Sequence, residues 1–401
     1  MQKMFNSRII VGYGVAFNSF RMLVGAIAAI YMINQGLSIY EVGIIKSIQA
    51  MVILFVDIPL SYVADKFSRK FSIALSTLLG SVWLTFMWIG SDFNSFLIAE
   101  VFNALSLSLI GGAYLAYLID NSESSSEADI KKITASYSKY HFFFVGFSGF
   151  AGGILYNYIG AYLWALAAAL CLVLFFCSFL LPSDKNHSNA GKKNRTSLFQ
   201  DIRAIYIEIC SEGTVIVILI SGLLFVSLYY QILIQIWQPY VVSGFGSLSN
   251  EGILFGVLFL IIQLSQSITS WFIEKLKNIN LVFILGMALS ATSTVLLING
   301  GSWNTMVAVI VIFCANLMMR NFFSIKFQAL ISPSFRSTID SLFSTMMRIV
   351  LIISLPLSGN AIDTIGWEVM TALFVGSYVM AFTAYTMLPK NEVRKVYEQE
   401  P

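Results

Sequence analysis

The sequence is dominated by apolar runs that are long enough to cross a lipid bilayer. A membrane-spanning α-helix needs about 20 apolar residues in succession, and short polar stretches separate the runs. The predicted spans, numbered here as segments 1 to 12, are 9–33, 39–63, 71–90, 94–119, 134–157, 160–181, 212–242, 250–273, 280–299, 304–330, 336–361 and 366–388. The pattern therefore predicts an all-α membrane protein with twelve transmembrane helices.

Composition excludes a water-soluble fold. Hydrophobic residues make up 57% of the chain and charged residues 11%, whereas a soluble domain carries about 25% charged residues. The net charge of +3 is too small to indicate nucleic acid as a partner, so the expected partner is the lipid bilayer. We expect no cofactor. The four cysteines have no paired spacing, which predicts free thiols rather than a disulfide framework.

Basic residues occupy alternate loops and predict the orientation. Arg69 and Lys70 follow segment 2, and Lys275 follows segment 8. The intervening loops carry acids such as Asp92 and Asp363 but no lysine or arginine. Loops that carry lysine and arginine stay on the cytoplasmic side of a membrane. The pattern therefore predicts that both termini are cytoplasmic.

A charged stretch at 61–70 has a weaker repeat at 270–276, which begins 209 residues later. Each stretch follows a long apolar run, and the alignment places Asp65 opposite Glu274. A repeat at the same place in each half indicates a duplicated membrane protein, the usual construction of a secondary transporter. The predicted organisation is a six-helix bundle at 1–182, a cytoplasmic linker at 183–211, a second six-helix bundle at 212–389 and a cytoplasmic tail at 390–401.

The stretch after segment 2 has the spacing of a known motif, Gly-x-x-x-Asp-Arg-x-Gly-Arg-Arg/Lys. Asp65, Arg69 and Lys70 match it, while Ser61 and Ser68 replace the two glycines. With the twelve segments and the basic linker, this motif makes the chain resemble the major facilitator superfamily. The resemblance implies that family's fold, with two pseudo-symmetric six-helix bundles.

Three further motifs resemble a bacterial efflux-type branch of that superfamily, and two departures separate the chain from it. The motifs are Asp57-Ile58-Pro59, Tyr117-Leu118-Ile119-Asp120 and Gln238-Pro239-Tyr240. Segment 5 has the glycines of the antiporter motif but lacks its proline. Leu115 is apolar where the branch often carries an acid. The departures weaken a multidrug interpretation.

The resemblance also implies a gate on the cytoplasmic side. Asp65 is placed to cap a helix of the other half, because an acid is stabilised at a helix N-terminus. Arg69 and Asp120 lie at predicted cytoplasmic helix ends and are expected to pair. Topology alone is the other explanation of these charges. The candidate gating residues are Asp65, Arg69, Lys70 and Asp120.

Polar residues inside the predicted spans form the candidate binding site. A charged group at the bilayer centre costs about 2.5–3.5 kcal/mol on insertion scales, so such residues are retained for function or are paired. They fall on segments whose counterparts in the family line a central cavity. The candidate substrate-binding residues are Asn18, Arg21, Lys46, Gln49, Asn103, Tyr230, Gln231, Gln235, Gln263, Gln266, Asn316, Arg320 and Arg348.

Deep cations outnumber deep acids in this set. The acids are Asp57 and Glu100, and the cations are Arg21, Lys46, Arg320 and Arg348. Such a surplus favours a substrate with a carboxylate or phosphate that arginine forks can hold, unless internal ion pairs cancel it. Asp57 and Glu100 are the candidates for proton coupling, because burial and a neighbouring cation shift the proton affinity of a carboxylate in opposite directions.

The leading hypothesis is a secondary active transporter that moves a small organic solute by alternating access. The favoured solute is anionic or zwitterionic, such as a carboxylate siderophore or metabolite, with proton coupling and export. An uptake permease for such a solute and a multidrug:proton antiporter for amphipathic cations are alternatives. A non-transporting receptor is the least favoured.

An enzyme or a nucleotide-driven pump is not expected. The chain has two histidines, no acids clustered on one helix, and no Gly-x-x-x-x-Gly-Lys-Ser/Thr loop. The resemblance implies a multi-pass monomer in the bacterial inner (plasma) membrane.

Overall fold

The computed structural model of the chain describes residues 2–66, 68–121, 127–183, 213–243, 245, 251–276, 278–330 and 336–389. These residues are helical almost throughout, as expected where lipid cannot satisfy backbone N–H and C=O groups. They divide into two compact units, unit 1 (Met1–Lys192 with Ser247–Gln263) and unit 2 (Lys193–Gly246 with Leu264–Pro401). The predicted linker 183–211 and tail 390–401 lie almost wholly outside the described residues.

Unit 1 contains the helices that correspond to segments 1 to 6. Asp92 starts one of them by accepting a hydrogen bond from the N–H of Ser95 at 3.1 Å, which satisfies a donor that the helix itself leaves unpaired. Its core lies where the side chains of Phe17, Ile73 and Tyr117 meet. The helices are α1 (Gln2–Met22), α2 (Ala28–Asn34), α3 (Ile39–Lys66), α4 (Arg69–Ile89), α5 (Phe93–Asp120), α6 (Glu127–Ile159) and α7 (Tyr162–Cys177).

Unit 2 contains the helices of segments 7 to 12, except that α9 begins within unit 1. Its core includes an aromatic cluster in which Phe283 stacks on Tyr385 at a centroid distance of 4.2 Å. Gly366, with φ of 118°, makes the last turn between helices, and that conformation favours glycine. The helices are α8 (Gly213–Val242), α9 (Glu251–Lys275), α10 (Ile279–Asn299), α11 (Ser302–Leu330), α12 (Arg336–Ile365) and α13 (Glu368–Met387).

The all-α membrane fold predicted from the sequence is confirmed. Eleven helices of the described residues are long and apolar enough to cross a membrane, and they correspond to segments 2 to 12. Helix α6 starts at Glu127, before the predicted segment 5 (134–157), while its apolar span is Ser136–Ile159. The orientation of the termini stays a prediction.

The prediction of one continuous helix over segment 1 is wrong, because the helix is interrupted at residues 23–27. There Gly25 N–H bonds Met22 O and Ile27 N–H bonds Val24 O, each at 3.1 Å, so three-residue turns replace the α-helical pattern. Ile27 has φ of −127° and ψ of 0°. A Cβ on Gly152 of α6 would overlap the carbonyl oxygen of Leu23, so α6 packs directly against the interruption. Tertiary packing therefore accompanies the break.

Helix α8 is distorted at the corresponding point of the second half. Ile236 has φ of −130° and ψ of 16°, and it follows Ile27 by 209 residues, the offset of the charged stretches. Pro239 lies three residues further on. Its missing N–H and its ring disturb the preceding helical turn. The two halves thus share one backbone distortion, although glycine accompanies it in one and proline in the other.

The charged stretch 61–70 is mostly helical, so the loop between predicted segments 2 and 3 is shorter than their bounds (39–63 and 71–90) indicate. Helix α3 continues to Lys66, and α4 begins at Arg69. Ser68 accepts a hydrogen bond from the N–H of Phe71 at 3.0 Å and so starts α4. In the second half Asn278 does the same for α10 by accepting from the N–H of Asn280 at 2.9 Å. The connection between the helices is therefore very short in both halves.

Candidate functional site

Five polar residues in unit 1 form a continuous chain of hydrogen bonds, called here the Arg21 chain: Arg21, Lys46, Glu100, Asn103 and Ser106. Lys46 Nζ pairs with Glu100 Oε1 at 2.8 Å, and Asn103 Nδ2 donates to Glu100 Oε2 at 2.7 Å. Arg21 Nη2 donates to Asn103 Oδ1, and its Nη1 donates to Ser106 Oγ at 3.1 Å. Four of the predicted site residues are therefore brought together.

Aromatic rings and a glycine complete the surroundings of Arg21. Its guanidinium carbon lies 4.6 Å from the ring centre of Trp83 and 5.1 Å from that of Phe17, and ring faces attract cations. A Cβ on Gly80 would lie 3.1 Å from Arg21 Nη1, so glycine leaves room for the guanidinium. These contacts hold Arg21 in one position.

Burial shows which end of the Arg21 chain is accessible. Arg21 is 4% exposed and Glu100 is 1% exposed, whereas the side chain of Lys46 is 11% exposed. Lys46 and Arg21 carry two positive charges and Glu100 carries one negative charge, so the Arg21 chain keeps a formal charge of +1. Lys46 is the member through which solvent or a solute reaches that charge.

Arg320 of unit 2 lies in a different environment. Its guanidinium carbon lies 5.0 Å from the ring centre of Tyr230. Its Nε is buried without a hydrogen-bond partner, and no carboxylate of the described residues pairs with it. It lines a cavity of about 340 Å³, called here the Arg320 cavity, whose lining is Leu223, Leu317, Arg320, Asn321, Ser324, Phe327 and Phe343. None of these lining residues is acidic.

Asn316 lies one helical turn before Arg320 on α11. It is fully buried, yet neither Oδ1 nor Nδ2 has a hydrogen-bond partner. Buried polar groups are almost always paired, and an unpaired one costs about 1–3 kcal/mol. This part of unit 2 therefore has unused hydrogen-bonding capacity on both the donor and the acceptor side.

Unit 1 has a cavity of its own between α1 and α6, with a volume of about 530 Å³. Arg8 is the one charged residue among its described lining residues, and Ser136 and Tyr140 add hydroxyl groups. The remaining lining is mainly apolar. Both cavities thus combine one cation with an apolar wall.

The other predicted substrate-binding residues are placed individually rather than in a cluster. Asn18 donates to Gly14 O at 2.8 Å and to the hydroxyl of Tyr137 at 3.2 Å. Gln266, Arg348 and the predicted proton-coupling residue Asp57 each have contacts of their own. The half-buried glutamines that make no hydrogen bond within the described residues are Gln49, Gln231, Gln235 and Gln263.

The predicted gating residues form contacts inside unit 1. Arg69 pairs with Asp120, as expected from the sequence. Lys70 Nζ donates to the carbonyl oxygens of Phe179 at 3.0 Å and Leu181 at 2.5 Å, which ties α4 to the residues that follow α7. The side chain of Asp65 lies outside the described residues. Gating stays a prediction.

Sequence reasoning missed several residues around the two arginines. Ser106 follows Asn103 by three residues on α5, and Ser324 follows Arg320 by four residues on α11. Residues three and four apart share a helix face, so this spacing was a usable signal. Trp83 and Phe343 come from other helices, and no local pattern indicates them.

The sequence profile described as Major Facilitator Superfamily matches residues 9–344. The chain belongs to the Major Facilitator Superfamily. This family consists of multi-pass membrane transporters, which are not an enzymatic class.

Relatives and solved structures agree with this family. The protein described as "Uncharacterized MFS-type transporter YxaM" of Bacillus subtilis (strain 168) is 24% identical over 215 residues, 53% of this chain and 53% of that protein. The chain thus matches about half the length of this curated relative. The crystal structure of nucleoside transporter NupG has a TM-score of 0.74 at 16% identity and covers 95% of this chain and 99% of that one.

A second solved fold is also similar. The bacterial homologue of the human lysosomal transporter Spinster, in an inward-facing and occupied conformation, has a TM-score of 0.70 at 13% identity, and the match covers 96% of each chain. At these identities the likeness shows the fold alone. These relatives give no support to the efflux-type branch that the sequence motifs suggested.

Proposed function

We propose that the protein is a secondary transporter that moves a small organic anion by alternating access. One observation carries the preference for an anion: Arg320 is a deep cation that makes no ion pair with a carboxylate of the described residues, and its Nε has no hydrogen-bond partner. An unpaired buried cation is unfavourable. A bound anion compensates such charge and is released when the surroundings change.

Lys46 and Glu100 are the proposed coupling pair. Lys46 Nζ and Asn103 Nδ2 both donate to the Glu100 carboxylate. Protonation of Glu100 removes the charge that holds Lys46, and Lys46 then becomes available to a substrate carboxylate. Proton binding and substrate binding are thereby linked through one side chain.

The proposal takes export as the direction of transport, on the resemblance of Asp57-Ile58-Pro59 to an efflux-type branch, with uptake as the alternative. A transporter of amphipathic cations would place acids around its cavities. The lining residues that the structure describes for the two cavities include no acid. We further propose a monomer in the bacterial plasma membrane.

The test is solute flux in proteoliposomes that contain the purified protein. The panel comprises radiolabelled phenylacetate, a carboxylate siderophore, uridine and a cationic dye, with and without an imposed pH gradient. We expect flux of an organic anion that responds to the gradient. Flux of uridine or of the dye alone would contradict the anion preference, and flux of the anion without a response to the gradient would contradict coupling.

The coupling step has its own variant. Glu100→Gln keeps the side-chain size and removes the titrating group. We expect it to retain anion exchange across the bilayer but to lose accumulation driven by the pH gradient. Glu274→Gln is the matched control, since Glu274 is exposed and plays no part in the proposal.

A further inference from the structure

The Arg320 cavity has the features of a ligand site rather than of a packing defect. Tyr230 covers the face of the Arg320 guanidinium at 5.0 Å, which fixes the plane of that group. Its Nε donor stays unpaired in a buried position. A fixed guanidinium with an unused N–H edge suits a carboxylate, whose two oxygens accept parallel hydrogen bonds.

Two observations independent of Arg320 indicate that a polar group belongs here. Asn316, fully buried one turn away, has no partner for either end of its amide. Asn321 donates from Nδ2 to Leu317 O at 2.8 Å, and Asn321 and Ser324 are polar residues of the cavity lining. Native proteins rarely leave such groups unused unless water, an ion or a ligand completes them.

The lining also limits what the ligand can be. Among the lining residues that the structure describes, Arg320 is the one charged residue, Asn321 and Ser324 are polar, and the others are leucine and phenylalanine. The volume of about 340 Å³ is near the lower end of the range for ligand pockets, ~300–1,000 Å³. A ligand with several carboxylates would leave all but one of them against apolar walls, which is unfavourable.

We propose that the Arg320 cavity binds the carboxylate of a small amphipathic monoanion, with Arg320 holding the carboxylate, Ser324 donating a hydrogen bond to it, and Phe343 and Phe327 enclosing an apolar body. This rests on the proposed function and narrows its substrate class. It separates a monocarboxylate from the multiply charged carboxylate siderophores that the wider hypothesis includes.

The experiment is equilibrium binding to the full-length protein in lipid nanodiscs, separate from any flux measurement. The probe is radiolabelled phenylacetate, with competition by phenylacetamide, phenethylamine and benzene-1,3,5-tricarboxylate. We expect phenylacetamide and phenethylamine to compete at least tenfold more weakly than unlabelled phenylacetate, and the tricarboxylate no better than phenylacetate. Equal competition by the neutral amide, tighter binding of the tricarboxylate, or no binding of phenylacetate would each overturn the proposal.

Variants locate the bound probe. Arg320→Gln should weaken phenylacetate binding about 10- to 100-fold, and Ser324→Leu should do the same by filling the cavity while leaving Arg320 in place. Lys139→Gln removes one cation from an exposed position in unit 1 and should leave binding unchanged. An unchanged affinity in a monodisperse Arg320→Gln or Ser324→Leu protein overturns the assignment, and Ser324→Leu carries the test if Arg320→Gln does not fold.

The binding assay and the flux assay distinguish a failure of this site from a failure of the proposed transport function. Phenylacetate binding that depends on Arg320, without flux of any panel member, keeps the site and removes the proposed transport function. Flux of uridine or of a cationic dye without phenylacetate binding keeps transport and removes this site. The two assays therefore assign a failure to one proposal or the other.

Discussion

Units 1 and 2 each hold a deep arginine, but they use its donors in opposite ways. Arg21 is enclosed by Trp83 and Phe17, and its terminal nitrogens donate to Asn103 and Ser106. Arg320 borders a cavity and keeps a buried donor without a partner. A satisfied buried cation stabilises a structure, whereas an unsatisfied one beside open space is prepared for a ligand.

The duplication makes this comparison informative. With the offset of 209 residues, Arg21 corresponds to Tyr230 and Arg320 corresponds to Gly111. The cation has therefore been placed on the first helix of one half and on the fourth helix of the other. A common scaffold carries an internal charge chain in unit 1 and a candidate binding cavity in unit 2.

The largest expected effect comes from removing the one acid of the Arg21 chain. Glu100→Leu leaves Lys46 and Arg21 without a carboxylate, and breaking a buried pair in this way costs about 3–5 kcal/mol. We expect a large drop in the melting temperature of the purified protein. The added change Lys46→Met should restore part of the loss, since it removes one of the two stranded cations. A drop no larger than that of the exposed-site control Glu274→Leu would contradict the assignment of unit 1.

Arg320→Gln tests the opposite behaviour of unit 2. Because its guanidinium makes no ion pair within the described residues, we expect a change in unfolding free energy of at most about 0.5 kcal/mol. Anion flux should fall about 10- to 100-fold. The measurement is initial flux in proteoliposomes together with thermal unfolding of the same preparation. A large loss of stability with unchanged flux would show that Arg320 is a structural residue and not the ligand-binding arginine.

Arg21→Met tests the same difference between the two arginines by changing the one in unit 1. The methionine fills part of the space but leaves the buried Oδ1 of Asn103 without a donor, which destabilises by about 1–3 kcal/mol. Lys46 and Glu100 keep their pair, so affinity for the anion should change less than in Arg320→Gln. Unfolding and equilibrium binding measure the two effects. A greater loss of affinity than in Arg320→Gln would make Arg21 the ligand-binding arginine.

The smallest expected effect is at Ser324. Removing its hydroxyl in Ser324→Ala should weaken binding of a carboxylate about 2- to 10-fold, the contribution of one hydrogen bond of roughly 0.5–1.5 kcal/mol. Ser136→Ala, in the cavity of unit 1, is the matched control and should leave that affinity unchanged. Equal effects of the two substitutions would indicate that the carboxylate is not held at Arg320.

The sequence predicted the spans and four of the five residues of the Arg21 chain, but not Ser106 or the bonds between the residues. Apolar length is a local property, so segments 2 to 12 were readable without a structure. Lys46 and Glu100 are 54 positions apart, and nothing local distinguishes an internal pair from two ligand-binding charges. The surplus of deep cations can therefore be counted from the sequence. Which of these cations are structural and which are free to bind a ligand is decided by contacts between helices.

Two backbone features show a similar limit. The interruption at 23–27 coincides with the close approach of Gly152 to Leu23, a tertiary contact that local propensity does not contain. The distortion at Ile236 was more accessible, because Pro239 is a known cause of kinks. The loop between segments 2 and 3 is shorter than predicted because helices extend beyond their apolar part into charged residues, as α3 does up to Lys66.

The interruption in the first helix has a mechanical consequence. Where the α-helical backbone hydrogen bonds are interrupted, one helix becomes two helical parts. A change in the direction of one part then has little effect on the other part. A tilt of α2 is then absorbed at residues 23–27, and Arg21, on the far side of the interruption, keeps its bonds to Asn103 and Ser106. The matching distortion at Ile236 gives the second half the same freedom. In each half we therefore expect the first helix to bend at this point while the part on the other side of it stays in place.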